Sequence, residues 1–312
     1  MNPIAPSHGN HLMIRDELLQ CNAATDFDHR WLAEYDFALL DPLRFEVEEY
    51  RDFPVTAIVP EPLSNQAKYM PVLMRLRELT DEARGRLLKS IDDRLASGDA
   101  TLSGLLRCGT GAGQLLSHLR KLLIVRHLRS GQDYLLRYFD PRVMRHLQWI
   151  LGAEQRGALL GPAHAWAWPC AQGWRVLQRQ EADSLSYQLR LEDAQWDSLQ
   201  RLPLVNAALV ELEMVAPGLL RDEGLPRTLD EQLVYASQAM GLREEADWVF
   251  CSVQAARFHP EIHEHPRLQK LVLRARAEGT GYADACSELT EGDWLSMAEA
   301  MIRRKFIGGD ET

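Results

Sequence analysis

The stretch SGLLRCGTGAGQLLSHLRKLLIVRHLRSGQDYLLRYFDPRVMRHLQWILGAEQRGALLGPAHAWAWP, residues 103–169, switches between strand-like and helix-like periodicity, and that switching decides the fold class. Residues 103–107 read as a short strand entering Gly109-Thr110-Gly111-Ala112-Gly113. The helix that follows places Leu115, Leu116, Leu119, Leu122 and Leu123 at i, i+1, i+4, i+7 and i+8, one apolar stripe. Its end grades into a strand over 122–128. Ser130-Gly131-Gln132-Asp133 is a hairpin turn by composition, and residues 134–139 form the returning strand. Asp140 is placed to cap the next helix, with Pro141 at its first position, where a missing N–H is harmless. Val143, Met144, Leu147, Ile150 and Leu151 repeat the stripe, and Gly161-Pro162 breaks the chain. A strand over 163–168 then sets His164, Trp166 and Trp168 on one face, and residues 173–179 can pair with it. This alternation predicts an α/β lobe, a mixed sheet with flanking helices.

Upstream, residues 31–40 and 55–59 read as strands closed by Asp41-Pro42 and Pro60. Residues 81–96 read as an amphipathic helix with Leu87, Leu88, Ile91 and Leu95 on one side. Residues 1–30, polar and holding a short helical run over 14–20, predict a mobile arm. Beyond about residue 185 the period is helical throughout. Thr228 and Glu231 fit a capping box for a helix ending at Gly241, and further helices fall at 244–257, 266–277, 282–289 and 293–305. The predicted class is α+β: an N-terminal α/β lobe over 31–180, an all-helical lobe over 185–306 and a disordered tail over 307–312.

The formal charge is −10, unevenly placed: residues 171–312 hold 15 Lys and Arg against 24 Asp and Glu, and the first 170 residues hold 20 against 21. Phosphate binding needs a basic surface, so nucleic acid is an unfit partner. The unequal charge suggests two lobes with different surfaces. Cys21, Cys108, Cys170, Cys251 and Cys286 are odd in number, scattered and without a CxxC pair, which fits a reducing compartment rather than a disulfide framework or zinc knuckle. The start, Met1-Asn2-Pro3-Ile4, carries no basic segment before an apolar core, and the longest apolar stretch, 202–220, is interrupted by Asn206, Glu211 and Glu213. The expectation is a cytoplasmic protein with no membrane partner.

Two placements oppose simple electrostatics. Arg137 shares a strand face with Leu135 and Phe139, and Arg142 lies in the first turn of a helix, where the dipole disfavours a cation by a few tenths of a kcal/mol. Each needs an acceptor, and Asp140 is the nearest for Arg142. One reading is an internal ion-pair network fixing the hairpin-to-helix junction; the other is a polar recognition surface. No nucleophile paired with a base accompanies them, so catalysis is not expected here.

These same residues carry a resemblance. The run from Gly111 to Pro169, with "LLSHLRKLLIV", "YLLRYFDPRVM" and "GPAHAWAWP" in order, resembles the type VI secretion effector chaperone or adaptor family, long catalogued as a domain of unknown function. "YDFALLDP" (residues 35–42) and "KYMPVL" (68–73) look like that family's opening strand and tyrosine-proline segment. The likeness covers about residues 31–170 well and the helical lobe loosely, and it leaves the N-terminal arm unexplained. It implies binding rather than turnover: a protein that holds a cognate effector in the cytoplasm and mounts it on the VgrG spike, without cofactor or metal. The residues matching its signature are His118, Arg120, Arg137, Asp140, Pro141 and Arg142.

Three rival features have plainer readings. The Gly109–Gly113 loop follows a strand and opens a helix, the setting of a phosphate cradle, and a nucleotide-binding enzyme is the competing function. Its spacing is GxGxG, without GxGxxG or a GK[ST] ending, and the plainer reading is a tight strand-to-helix connection. His259, Glu261, His263, Glu264 and His265 could ligate zinc, but Pro260 and Pro266 interrupt any continuous helix, which favours a solvated interhelical loop. Trp166 and Trp168 read as sheet packing before they read as a binding platform.

Overall fold

Strand β5 (Gly104–Arg107) lies at the centre of a seven-stranded sheet whose order is β1 (Leu19–Thr25), β9 (Gly173–Arg179), β8 (Ala165–Cys170), β5, β2 (Phe37–Leu40), β4 (Val72–Arg75) and β3 (Val55–Ala57). The computed structural model describes residues 19–45, 47–96, 102–109, 111–170, 173–179 and 188–307. The chain forms two compact units, Met1–Trp196 and Asp197–Thr312.

Because opposed residues on neighbouring strands share a sheet face, the register defines two apolar surfaces. Phe37, Leu106, Trp166 and Leu177 form one cross-strand row, all buried. Ala38, Leu105 and Ala167 form the row on the opposite face and join Leu87 and Ile91 of helix α1 (Asp81–Ala96). The first face is covered by the segment after the hairpin. Tyr138, fully buried, sets its ring edge-on to Trp166 at 5.6 Å between centroids, and helix α3 (Pro141–Ile150) lies against β8. Burial on both faces explains why β2, FALL, reads as an unbroken apolar run. Trp166 and Trp168 are fully buried, in agreement with the packing reading.

The α+β class holds, with corrections inside it. Every described pairing in the sheet is antiparallel, where a mixed sheet was expected. The expected strand over 31–40 is a helical turn, Trp31–Glu34, followed by β2. Aromatic packing fixes the turn: Trp31 meets Phe27, Tyr35 and Trp174 at centroid distances of 5.9, 5.9 and 5.8 Å. Residues 19–25, expected within a mobile arm, form β1 along the edge of β9. The pairing there is main-chain work, to which the weak side-chain pattern is blind. Residues 1–18 of the arm, and the tail after Ile307, fall outside the described residues. The hairpin strands that follow helix α2 (Ala112–Leu122) are shorter than read, β6 (Ile124–Arg126) and β7 (Asp133–Leu135). Helix α4 (Ala153–Leu160) completes the unit up to Gly161.

The second unit is helical, with α5 running Asp193–Val215 from just before its start, then α6 (Leu225–Val234), α7 (Glu245–Arg257), α8 (Pro266–Glu278) and α9 (Glu291–Ile307). The capping box at Thr228 is corrected. Gly224 is the N-cap, a proline occupies the first turn, and the Thr228 hydroxyl donates back to the Gly224 carbonyl at 3.3 Å from inside the helix. The helix does end at Gly241, through a wide turn over Tyr235–Ala239 and a left-handed Gly241 at φ 59°. The expected helix over 282–289 is a single turn, Tyr282–Ala285. Among the described residues no helix is long and apolar enough to cross a membrane.

Candidate partner-binding site

Asp140 organises the junction between hairpin and helix. Its Oδ1 accepts the Arg142 main-chain N–H at 3.0 Å, the N-cap bond that ends the turn and starts α3. The same carboxylate takes a two-point grip from the Arg142 guanidinium, Nε at 3.1 Å and Nη2 at 2.9 Å. That local pairing is what makes a cation tolerable in the first turn. Arg137 finds two carboxylates at longer range, Asp41 Oδ2 at 3.5 Å and Asp140 Oδ2 at 3.6 Å, and lies over the Phe139 ring at 5.4 Å from its centroid. Both aspartates are buried, at 2% and 3% exposure, whereas the Arg142 side chain is 65% exposed.

The two carboxyls respond to their surroundings in opposite directions. Burial alone would raise Asp140, but the hydrogen bonds and charge of Arg142, with help from Arg137, hold it below the ordinary carboxylate value. Burial dominates at Asp41 and raises it, only partly offset by the Leu43 N–H and the Arg137 charge. One carboxylate is thus fully served and its neighbour is short of donors.

His118 belongs to a separate contact. It is buried, and its Nε2 lies 3.1 Å from the Leu159 carbonyl; a carbonyl only accepts, so Nε2 carries the proton. Burial lowers its pKa. Its ring fills the space over Gly161, where an added Cβ would come within 2.1 Å of Nε2. His118 therefore docks α2 onto the end of α4. The Tyr138 hydroxyl donates to the Leu119 carbonyl at 3.0 Å and ties the junction to the same helix. Arg120, two residues from His118, points to solvent on a groove, as does Lys121.

The structure thus unites Arg137, Asp140, Pro141 and Arg142, buries Pro141 and His118, and leaves Arg120 and Arg142 as the exposed members of the signature. Sequence reading missed Asp41 as the second carboxylate. Its signal was present: an aspartate closing the all-apolar strand FALL, with its own Oδ1 accepting the Leu43 N–H at 3.0 Å. Residues 36–158 match the model of a family described as a domain of unknown function (DUF4123). That DUF4123 segment begins just before β2 and ends in α4, so it contains the whole Asp41–Arg137–Asp140–Arg142 network, His118 and Arg120, and leaves out β1, β8, β9 and the helical unit. No curated protein matches the chain, and no solved structure does.

Parts of the rival features take part in packing. At Gly109 an added Cβ would meet His164 Nε2 at 2.8 Å, so this glycine serves close approach of the neighbouring strand's histidine. Gly111 is the N-cap of α2, and Thr110 lies outside the described residues. In the second cluster, His263 is fully buried rather than in a solvated loop. It sits between the Tyr282 hydroxyl at 3.0 Å and the Cys251 carbonyl at 2.9 Å, while His265 accepts the Arg267 N–H as the cap of α8. No group of three or more potential metal ligands occurs among the described residues.

Proposed function

We propose that this chain is a type VI secretion adaptor that binds a toxic effector in the cytoplasm and tethers it to the VgrG spike, acting by non-covalent binding and not by catalysis. The observation that carries this reading is the coincidence of the DUF4123 match over residues 36–158 with the segment whose "HLR" and "FDPRV" pieces resemble the effector-chaperone family. The geometry supports it at one further point. The buried part of the signature holds the hairpin, α2 and α3 in fixed relation, and Arg120 and Arg142 project outward from that frame. A rigid support presenting a few exposed cations suits a docking surface.

Co-expression of the full chain with a candidate effector toxin from the same genome, followed by size-exclusion chromatography at micromolar concentration and moderate salt, tests the proposal. A co-eluting complex that also retains the spike protein is expected. Separate elution of chain and toxin would overturn it.

A further inference from the structure

The sheet-bearing unit carries a groove of about 1400 Å³ that the junction network does not use. Its walls come from the turn at Pro60–Pro62, helix α2, strand β6 and residues 188–190. This exceeds the roughly 300–1,000 Å³ of small-molecule sites. On a protein of net charge −10 its lining is locally basic: among the described residues Arg120, Lys121, Arg126 and Arg190 stand against Glu61 alone. All four cations are exposed. Arg126 faces Asp133 only at 4.0 Å across the hairpin, Arg190 bonds the neutral Gln188 at 3.1 Å, and Arg120 and Lys121 have no acidic partner among the described residues.

The second observation is the edge of β6. The hairpin is a two-stranded sheet, so β6 has β7 on one side and no other strand among the described residues. Leu136 N–H donates to the Leu123 carbonyl at 2.9 Å and His127 N–H to the Gln132 carbonyl at 2.8 Å. Hydrogen-bonded pairs alternate along an antiparallel ladder, so positions 123, 125 and 127 face β7, and the main-chain groups of Ile124 and Arg126 point the other way. β6 itself lines the groove. Beside it Leu128 is 71% exposed, an apolar contact with nothing over it among the described residues.

From the basic lining and the open strand edge together we infer that the groove takes an acidic, extended segment of the spike-side partner, which adds as a strand along β6. Main-chain bonds to Ile124 and Arg126 give register, acidic side chains meet Arg120, Lys121, Arg126 and Arg190, and alternate apolar side chains cover Leu128. The inference rests on the tethering role proposed above. Four cations on an acidic protein are too few for nucleic acid, which recruits a broad basic surface, whereas a bare strand edge suits a peptide.

The test is fluorescence anisotropy on the full chain with a labelled ten-residue peptide of alternating Glu and Val. Its controls are the Lys/Val counterpart, the Glu/Val peptide N-methylated at every second residue, and a ten-nucleotide oligothymidylate. The Glu/Val peptide is expected to bind at least about tenfold tighter than each control, and Arg120→Glu with Arg126→Glu to weaken it by about tenfold or more, with a steep salt dependence. Should the double variant fold poorly, Arg190→Glu alone is expected to weaken binding by a smaller factor at unchanged melting temperature. Equal binding of the Lys/Val or N-methylated peptide, oligothymidylate binding in place of the peptide, or indifference to the charge reversals would overturn the inference. The adaptor reading is separable. A charge-reversed variant that still holds effector and spike overturns the groove assignment alone, while a wild-type chain that holds no effector overturns the tethering role whatever the peptide does.

Discussion

Asp140 performs three tasks with one carboxylate: it caps α3, grips Arg142 and stands within reach of Arg137. Replacing Asp140 by Ala removes the cap, takes the acceptor from Arg142 and leaves the half-buried Arg137 with Asp41 alone, so Asp140→Ala is expected to destabilise the fold by about 1–3 kcal/mol. Arg142→Ala leaves the main-chain cap bond in place and removes a side chain that is 65% exposed, so its effect on stability is expected to stay under about 1 kcal/mol. Urea unfolding of both variants checks the ordering, and equal losses would show that the ion pair, not the cap, supplies the stability. Asp140's role was legible because everything it does is local: DPR sets cap, first-turn proline and partner within three positions. Arg137 showed that it needed an acceptor, but Asp41 lies 96 residues away, and no local pattern encodes that distance. His118 was legible as a signature residue but not as a buried one, since its acceptor, the Leu159 carbonyl, is 41 residues on.

At the scale of elements, α2 and α4 meet through one interlocked pair. Gly161 has φ 59° and ψ −130°, a conformation nearly closed to other residues, and the His118 ring occupies the place of its missing side chain. Gly161→Ala is expected to cost about 1–3 kcal/mol from the backbone alone, with a further steric share that depends on His118. In a double-mutant cycle with His118→Ala the coupling is expected at about 1 kcal/mol or more. Strict additivity would show that the ring is not what excludes the side chain. In the helical unit, His263 bridges α7 and the Tyr282 turn as a neutral ring, donating to the Cys251 carbonyl and accepting from Tyr282. Burial lowers its pKa from 6.5 to about 4. In the window between those values the unfolded chain binds the proton and the folded chain does not, so stability falls as pH drops from about 6.5 to about 4. The loss approaches about 3–4 kcal/mol at about 1.4 kcal/mol per unit. Urea midpoints at pH 7 and pH 5 should differ in the wild type and converge in His263→Gln. The elements that sequence pattern found are those with a strong period or a local stop, such as α1 and α3. The misplaced ones answer to tertiary partners: the turn at Trp31 to Trp174, and β1 to the open edge of β9.

Across the whole molecule the charge is divided by unit. Asp197–Thr312 holds 12 Lys and Arg against 20 Asp and Glu, a net of −8, which leaves −2 for Met1–Trp196. The DUF4123 match and the basic groove both lie in the first unit, and neither extends into the second. On the tethering role proposed above, the chain meets a spike, whose features recur among adaptors, and an effector, which differs from case to case, so the matched unit is the better candidate for the spike and the acidic helical unit for choosing the effector. Charge complementarity governs specificity and association rate more than raw affinity. The effector surface that meets the helical unit is therefore expected to be basic, and association to slow as salt rises through the range in which exposed charges are screened. Exchanging residues 197–312 for the corresponding unit of a related adaptor separates the two roles. Effector choice is expected to follow the transplanted unit while spike binding stays with residues 1–196. Effector choice that remains with residues 1–196 would reverse the assignment, and an association rate indifferent to salt would remove the charge of the helical unit from the selection of the effector.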